Sequence, residues 1–194
     1  MFKILLPSLL TPIVFLSILF SQPAFSHGAH YEVQLKSELQ VNTDDLISGV
    51  GMVWVYDPIV SANMLKDDSD LKKLEESIHS NLERFKFFTK ITADDKALAI
   101  GKAQNFKLEE TKDGEVTNLQ ISFTLPFATP PKLNSVKKID FDYADPTATA
   151  ILYYENPQDL SLGFGLKDKC KTNLAEKPSF KEGEFPQIVT ISCN

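Results

Sequence analysis

The chain has little of what enzymatic and metal sites are usually built from. Its 194 residues include three histidines, two cysteines and one tryptophan. It has no Gly-rich phosphate loop, no Gly-x-Ser-x-Gly, no His-Glu-x-x-His and no Cys-x-x-Cys. With so few histidines, a Ser-His-Asp site has few ways to form. The sequence therefore predicts a protein that is not an enzyme.

Positive charge is also in the minority. The chain has 20 Lys and Arg against 26 Asp and Glu, a formal charge of −6. Lys3 lies in a segment that we expect to be removed, which leaves 19 basic against 26 acidic residues, a charge of −7. This balance argues against nucleic acid as a partner. An acidic surface is compatible with cations, although surplus charge alone also serves solubility.

The first long segment is apolar and uncharged. Residues 4–20 are short for a membrane span and include two prolines, which favours a cleaved secretion signal over a membrane anchor. Ala24 and Ser26 are small residues at the two positions that signal peptidase reads. We predict that 1–26 is a cleaved signal peptide. The mature chain, 27–194, is then a single exported domain without a membrane span.

Cleavage after Ser26 creates a candidate metal chelate. His27 then offers a free α-amine beside its imidazole, and His30 can fold back to add a third nitrogen. Such ligands suit a divalent transition metal, namely Zn, Ni, Co or Cu. Cleavage one residue later gives Gly28-Ala29-His30, a different copper or nickel chelate that uses backbone amides. The simplest alternative is a solvated terminus that binds nothing specific.

The two cysteines predict a disulfide. Cys170 and Cys193 suit one bridge in an oxidising compartment. It would close a loop of about 24 residues, contribute about 3 kcal/mol and tie the C-terminal strand to the body. The alternative is a pair of free or metal-binding thiols.

Apolar periodicity predicts two strands followed by two helices. Tyr31 to Val41 and Leu46 to Tyr56 alternate as strands. Asp57 is a good N-cap because Pro58 follows it at the first helical position. Asp57 is also a second-rank candidate metal ligand, although capping explains it more simply. The first helix ends near position 67, and the second, from about 69 to 85, carries a single apolar stripe.

The remainder reads as strands. We expect a hairpin turn at Asp113-Gly114, and a polar loop between positions 166 and 188. The strands are predicted over 87–91, 106–110, 116–127, 136–143, 147–154, 160–166 and 188–193. The fold class is therefore α+β, a mostly antiparallel sheet or sandwich with a two-helix insertion after the second strand.

Other chemistry-bearing residues have simple structural explanations. His79, beside the helical stripe, is expected to be a partly buried structural histidine, and Trp54 a core residue. Asp140 and Asp142 fall on one strand face and, with Asp145, form an acidic patch. We predict solvation rather than calcium binding for this patch, because no EF-hand-like spacing is present.

Short segments spread from His30 to about Cys170 form a family pattern. They are His30-Tyr31-Glu32-Val33, Val53-Trp54-Val55-Tyr56-Asp57 with Ser61 and Leu65-Lys66-Asp67, Asn81-Leu82, Phe87-Phe88-Thr89, Phe123-Thr124-Leu125-Pro126, and Ile139-Asp140-Phe141-Asp142-Tyr143-Ala144-Asp145-Pro146. On these segments the chain resembles the DUF1007 family, exported bacterial proteins labelled as periplasmic components of an uncharacterised transport system.

The resemblance implies metal handling in the periplasm. Family members typically begin with His-Pro-His after the signal, and their genes tend to accompany nickel, cobalt or zinc transporters. This chain has His27-Gly28-Ala29-His30 instead, so both imidazoles remain while the spacing grows by one residue. The implied function is a periplasmic accessory protein of transition-metal transport or homeostasis. Its implied partner is a membrane metal transporter or another periplasmic protein.

Two other functions compete with this one. The first is a metal-independent periplasmic module that binds protein or serves a structural role, with a sheet edge or the aromatic surface around Trp54 and Tyr56 as its contact. The second is a copper oxygenase with an N-terminal histidine brace. A brace also needs a distant histidine, and only His79 is available for that role.

Overall fold

Eleven strands and two helices make up the described part of the chain. The computed structural model describes residues 30–181 and 183–194, so the predicted signal peptide and His27 lie outside the described residues. The elements are β1 Tyr31–Val41, β2 Ile47–Tyr56, α1 Pro58–Asp67, α2 Leu71–Arg84, β3 Thr89–Ala93, β4 Lys96–Ala97, β5 Gln104–Asp113, β6 Val116–Pro126, β7 Lys138–Tyr143, β8 Ala150–Tyr153, β9 Leu160–Leu162, β10 Cys170–Glu176 and β11 Gln187–Cys193. The fold is α+β, and the helices follow the second strand as predicted.

The first sheet is organised around β1. Its order is β5-β6-β2-β1-β8, and β9 also pairs with β1. β1 runs antiparallel to β2 but parallel to β8 and β9. In β2, a Cβ added at Gly49 would lie 2.5 Å from the carbonyl oxygen of Leu125. Glycine at this position therefore permits the close approach of β2 to β6.

The second sheet is antiparallel throughout, in the order β10-β11-β7-β3-β4. Where the second sheet meets the first, three buried hydroxyl groups form a hydrogen-bonded network. The hydroxyl of Tyr154 lies 2.6 Å from that of Tyr143 and 2.7 Å from that of Ser37. Burial raises the pKa of Tyr154 to about 12, so its hydroxyl in this network is uncharged at neutral pH. Side chains of both sheets form one buried cluster.

The connection from α2 to β3 differs from the prediction. The strand expected over 87–91 begins only at Thr89, because a 3₁₀ turn occupies Lys86–Phe88. Lys86, Phe87 and Phe88 have φ values of 52°, 54° and 53°. These left-handed conformations are uncommon for bulky residues, and apolar alternation gives no sign of them. The turn leaves Phe87 buried, with 3% of its surface exposed.

The predicted polar loop before the last strand is also wrong. Residues 170–176 form β10, an edge strand paired only with β11 in its sheet. Only Cys170 of this strand is fully buried, so its sequence lacks the clear alternation that identifies a strand. The strand expected over 160–166 ends at Leu162, where the N–H of Gly163 donates to the carbonyl of Leu39.

The helical insertion packs on the core as the sequence predicts. Ile78 and Leu82 of the α2 stripe are buried. Trp54, with 1% of its surface exposed, stacks on Phe88 and meets the edge of Phe123. His79 is half-buried and stacks on Phe106, with ring centres 4.5 Å apart. The packing therefore gives His79 the structural role that was expected.

The predicted disulfide is present. Cys170 and Cys193 lie directly opposite each other in β10 and β11 and are bonded. The bridge joins the last strand of the chain to its edge neighbour.

None of the helices in the described part of the chain is both long enough and apolar enough to cross a membrane.

Candidate functional site

His30 stands immediately before β1, an interior strand of the first sheet. It is exposed and lines an open cavity of about 510 Å³ together with Glu32, Asp57 and Asn63. The neighbouring backbone is held in place, because the N–H of Tyr31 donates to the carbonyl of Thr149 at 3.0 Å. His30 is therefore fixed at one end of the sheet while its surroundings stay open to solvent.

Asp57 also lines this cavity and caps α1. One carboxylate oxygen, Oδ1, accepts hydrogen bonds from the N–H groups of Ile59 and Val60, each at 2.9 Å. The N–H of Asp57 in turn donates to the carbonyl of Glu32 at 3.3 Å. The structure thus confirms the predicted N-cap. The cap also fixes one carboxylate within the cavity that His30 lines.

A smaller, more polar cavity adjoins the first. It measures about 270 Å³ and shares Glu32 and Asp57 with its neighbour. Asn118 and Tyr153 also line it. The side-chain carbonyl of Asn118 is buried and accepts no hydrogen bond from the described residues. We call the two cavities together the N-terminal corner, formed by His30, Glu32, Asp57, Asn118 and Tyr153.

Negative charge dominates the N-terminal corner. The pKa of Tyr153 is raised, first by burial and then by the charges of Glu32, Glu155, Asp159 and Asp57. Four carboxylates therefore act on one phenol, and each disfavours its anionic form. The same field favours a cation over an anion in this region.

The corner supplies part of a metal-ligand set. It presents one imidazole, two carboxylates and an amide oxygen, all of which are ligands for divalent metals. Within residues 30–181 and 183–194, however, no three His, Cys, Asp or Glu side chains gather around one point at metal-binding distances. His27, the other predicted ligand, lies outside the described residues.

Three neighbours of the candidate site were not predicted from the sequence, namely Glu32, Asn118 and Tyr153. One signal for Glu32 was available, because alternation along β1 places it on the same face as His30. Asn118 comes to the corner only through the pairing of β6 with β2. Tyr153 arrives through the parallel pairing of β8 with β1. Neither pairing leaves a local signal in the sequence.

Comparison with known protein families gives a match over most of the chain. A family model described as "Protein of unknown function (DUF1007)" matches residues 13–187. No match is found among curated proteins.

Proposed function

The chain belongs to the DUF1007 family, and we propose that it is a periplasmic accessory protein that binds a divalent transition metal at its processed N-terminus. The metal is Zn, Ni, Co or Cu, and the protein works beside a membrane metal transporter or another periplasmic protein of metal homeostasis. Its role is binding rather than catalysis. The signal peptide that brings it to the periplasm is the predicted segment 1–26.

The observation that carries the proposal is the position of His30 beside two carboxylates in a negatively charged corner. His30 lines the same cavity as Glu32 and Asp57. Three residues upstream, His27 would add its imidazole and, after cleavage, its α-amine. Three nitrogens from His27 and His30 make a chelate. Glu32 and Asp57 belong to the same corner. Either carboxylate would supply an oxygen ligand or orient an imidazole.

Asp57 has a further constraint in this proposal. Oδ1 already accepts two hydrogen bonds from α1, so coordination through that oxygen would compete with the cap. Orientation of a ligand by Asp57 leaves the cap in place. We therefore assign His27 and His30 as the ligands and keep Asp57 as a second-rank candidate.

The proposed ligands bind metal only when deprotonated. Free imidazole titrates near pH 6.5 and a free α-amine near 7.7 to 8.0. Metal affinity should therefore fall as pH is lowered from about 8 to about 5, because protons compete at each nitrogen. Among the candidate metals, nitrogen ligands bind Cu(II) most tightly, whatever metal the cell supplies.

Calorimetry with Cu(II), Ni(II) and Zn(II) on four proteins tests the proposal. The first begins at His27 and the second retains Ser26 before it, which removes the amine of His27 from the chelate. The third carries His30→Ala. The fourth carries His79→Ala, a matched control on α2 whose ring packs on Phe106. We expect one metal per chain in the first and fourth proteins and markedly weaker binding in the second and third.

Two results would contradict the proposal. Equal affinity with and without Ser26 excludes the amine. Equal losses for His30→Ala and His79→Ala place the site elsewhere. If none of the three metals binds the first protein, the metal-independent binding module becomes the better description of this chain.

A further inference from the structure

A separate, largely apolar cavity lies between the helices and the first sheet. Its volume is about 440 Å³, within the usual range for small-molecule sites. The walls come from β2, both helices, the turn after α2, and β8. The principal side chains are Trp54, Tyr56, Met64, Leu82, Phe88 and Leu152. An aromatic and aliphatic lining of this kind suits the apolar body of a ligand.

Trp54, which lines this cavity, carries a buried donor without an acceptor among the described residues. Its side chain is 1% exposed, and its indole N–H has no acceptor among the described residues. A buried donor without a partner is uncommon in folded proteins, because it loses its hydrogen bond to water and gains nothing in return. This nitrogen is closed to solvent, so Trp54 offers a ligand in the cavity apolar contact rather than a hydrogen bond.

Arg84 brings a positive charge to the rim of the cavity. It is the last residue of α2 and is exposed, and no other described residue that lines the cavity is charged. It is also the only arginine in the whole chain. Its guanidinium lies 5.2 Å from the ring centre of Phe85 and forms no ion pair with a described carboxylate.

The other polar groups at the rim leave Arg84 as the group that recognises charge. The hydroxyls of Thr147 and Thr149 both lie within hydrogen-bonding distance of the Asp145 carboxylate. Asn81 offers a neutral amide. A guanidinium presents paired N–H donors that match the two oxygens of a carboxylate, which an ammonium group does not.

We propose that this cavity binds a small hydrophobic carboxylate. The apolar body lies against Trp54, Phe88 and Leu152, and the carboxylate is held at the rim by Arg84. The proposal involves neither His27 nor His30, so it stands or falls independently of metal binding.

Trp54 makes the proposal directly measurable. It is the only tryptophan in the chain, so intrinsic tryptophan fluorescence reports on this cavity alone. The chain from His27 onward, in the presence of a chelator, is titrated with decanoate, with the neutral decanol and with the cationic decylamine. We expect decanoate to change the emission saturably at one molecule per chain. Decanol and decylamine should bind more weakly.

Variants of Arg84 test the charge recognition. Arg84→Gln should weaken the affinity for decanoate about tenfold and leave the affinity for decanol unchanged. Arg84→Lys keeps the positive charge at the end of α2 but loses the paired donors. Its affinity for decanoate should therefore lie between those of the wild type and Arg84→Gln. Lys86→Gln is the matched control. It also removes one positive charge, two residues after Arg84, but the Lys86 side chain does not line the cavity. Near-UV circular dichroism checks the fold of each variant.

Three outcomes would overturn the proposal. The first is the absence of saturable decanoate binding by both fluorescence and calorimetry. The second is equal affinity for decanoate and decanol, since that describes an apolar cavity without anion recognition. The third is an equal loss for Lys86→Gln and Arg84→Gln, since that describes general electrostatic attraction.

Discussion

Asp145 is a buried carboxylate whose replacement by asparagine should destabilise the protein. It is 3% exposed and accepts five hydrogen bonds within the loop that leads into β8. Oδ1 accepts from the N–H and hydroxyl of Thr147, and Oδ2 accepts from the N–H and hydroxyl of Thr149 and the N–H of Ala150. This residue was expected in a solvated acidic patch. Instead it organises the loop, which explains why β8 begins at Ala150 rather than near position 147.

The size of the effect follows from which donors lose their acceptor. Asparagine keeps one carbonyl oxygen and replaces the other with an NH₂ group, so two or three of the five donors would face another donor. Thr147 and Thr149 are exposed and can turn to water, whereas Ala150 is buried and its N–H cannot. A hydrogen bond to a charged group contributes about 1.5–3 kcal/mol, so we expect a loss of about 3 kcal/mol in the free energy of unfolding.

The effect of Asp145→Asn should depend on pH with a defined sign. Burial raises the pKa of Asp145, but hydrogen bonds from Thr147, Ala150 and Thr149 outweigh it, and the folded pKa lies below the ordinary value. The charged carboxylate therefore stabilises the fold fully above about pH 4, the value in an unfolded chain. This stabilisation is lost as pH falls from about 4 through the lower folded pKa.

Urea unfolding of the wild type and Asp145→Asn at pH 6 and pH 3 measures both effects. Asp142→Asn is the control, because Asp142 is half-exposed and its ion pair is a surface contact with Lys177 at 3.4 Å. Its replacement should change stability by less than about 1 kcal/mol. A difference between wild type and Asp145→Asn below about 0.5 kcal/mol at pH 6 would refute the reasoning. So would a difference that grows on acidification.

Two other predictions concern the cap and the bridge. Asp57→Ala should lower the free energy of unfolding by about 1 kcal/mol, while Asp57→Asn stays near wild type because asparagine caps equally well; loss of metal binding in Asp57→Asn at unchanged stability would make Asp57 a ligand instead. Thiol labelling of the denatured, unreduced protein should find neither Cys170 nor Cys193 free, and replacing both with alanine should cost about 3 kcal/mol, measured by denaturant unfolding. Two labelled thiols in the exported protein would contradict the bridge.

Elements with a local signal were predictable from the sequence. Alternation identified β1 and β2, the Asp57-Pro58 pair marked the start of α1, and an apolar stripe marked α2. β10 was missed because an edge strand with one buried residue carries almost no alternation. The 3₁₀ turn at Lys86–Phe88 was missed because phenylalanine rarely adopts positive φ.

In the candidate site, too, some features were predictable from local sequence and others were not. Capping by Asp57 follows from its neighbour Pro58, which is local information. That Asp57 shares a cavity with His30 and another with Asn118 depends on the registers of β1, β2 and β6. The apolar cavity at Trp54 depends on how the helices are set against the sheet. Periodicity predicts that Trp54 is buried but does not predict that its N–H lacks an acceptor.

The parallel pairing of β1 has a consequence for the order in which the molecule assembles. Tyr31 pairs with Ala150 and Leu39 pairs with Leu162, so the first strand of the described chain is completed by two of the late ones. When the N-terminus is synthesised or exported first, one edge of β1 stays unpaired until β8 and β9 are available. Pairings this distant in sequence slow folding. We therefore expect the backbone beside His30, which is anchored to Thr149, to be among the last parts of the protein to take its final position, as pulsed hydrogen exchange during refolding would show.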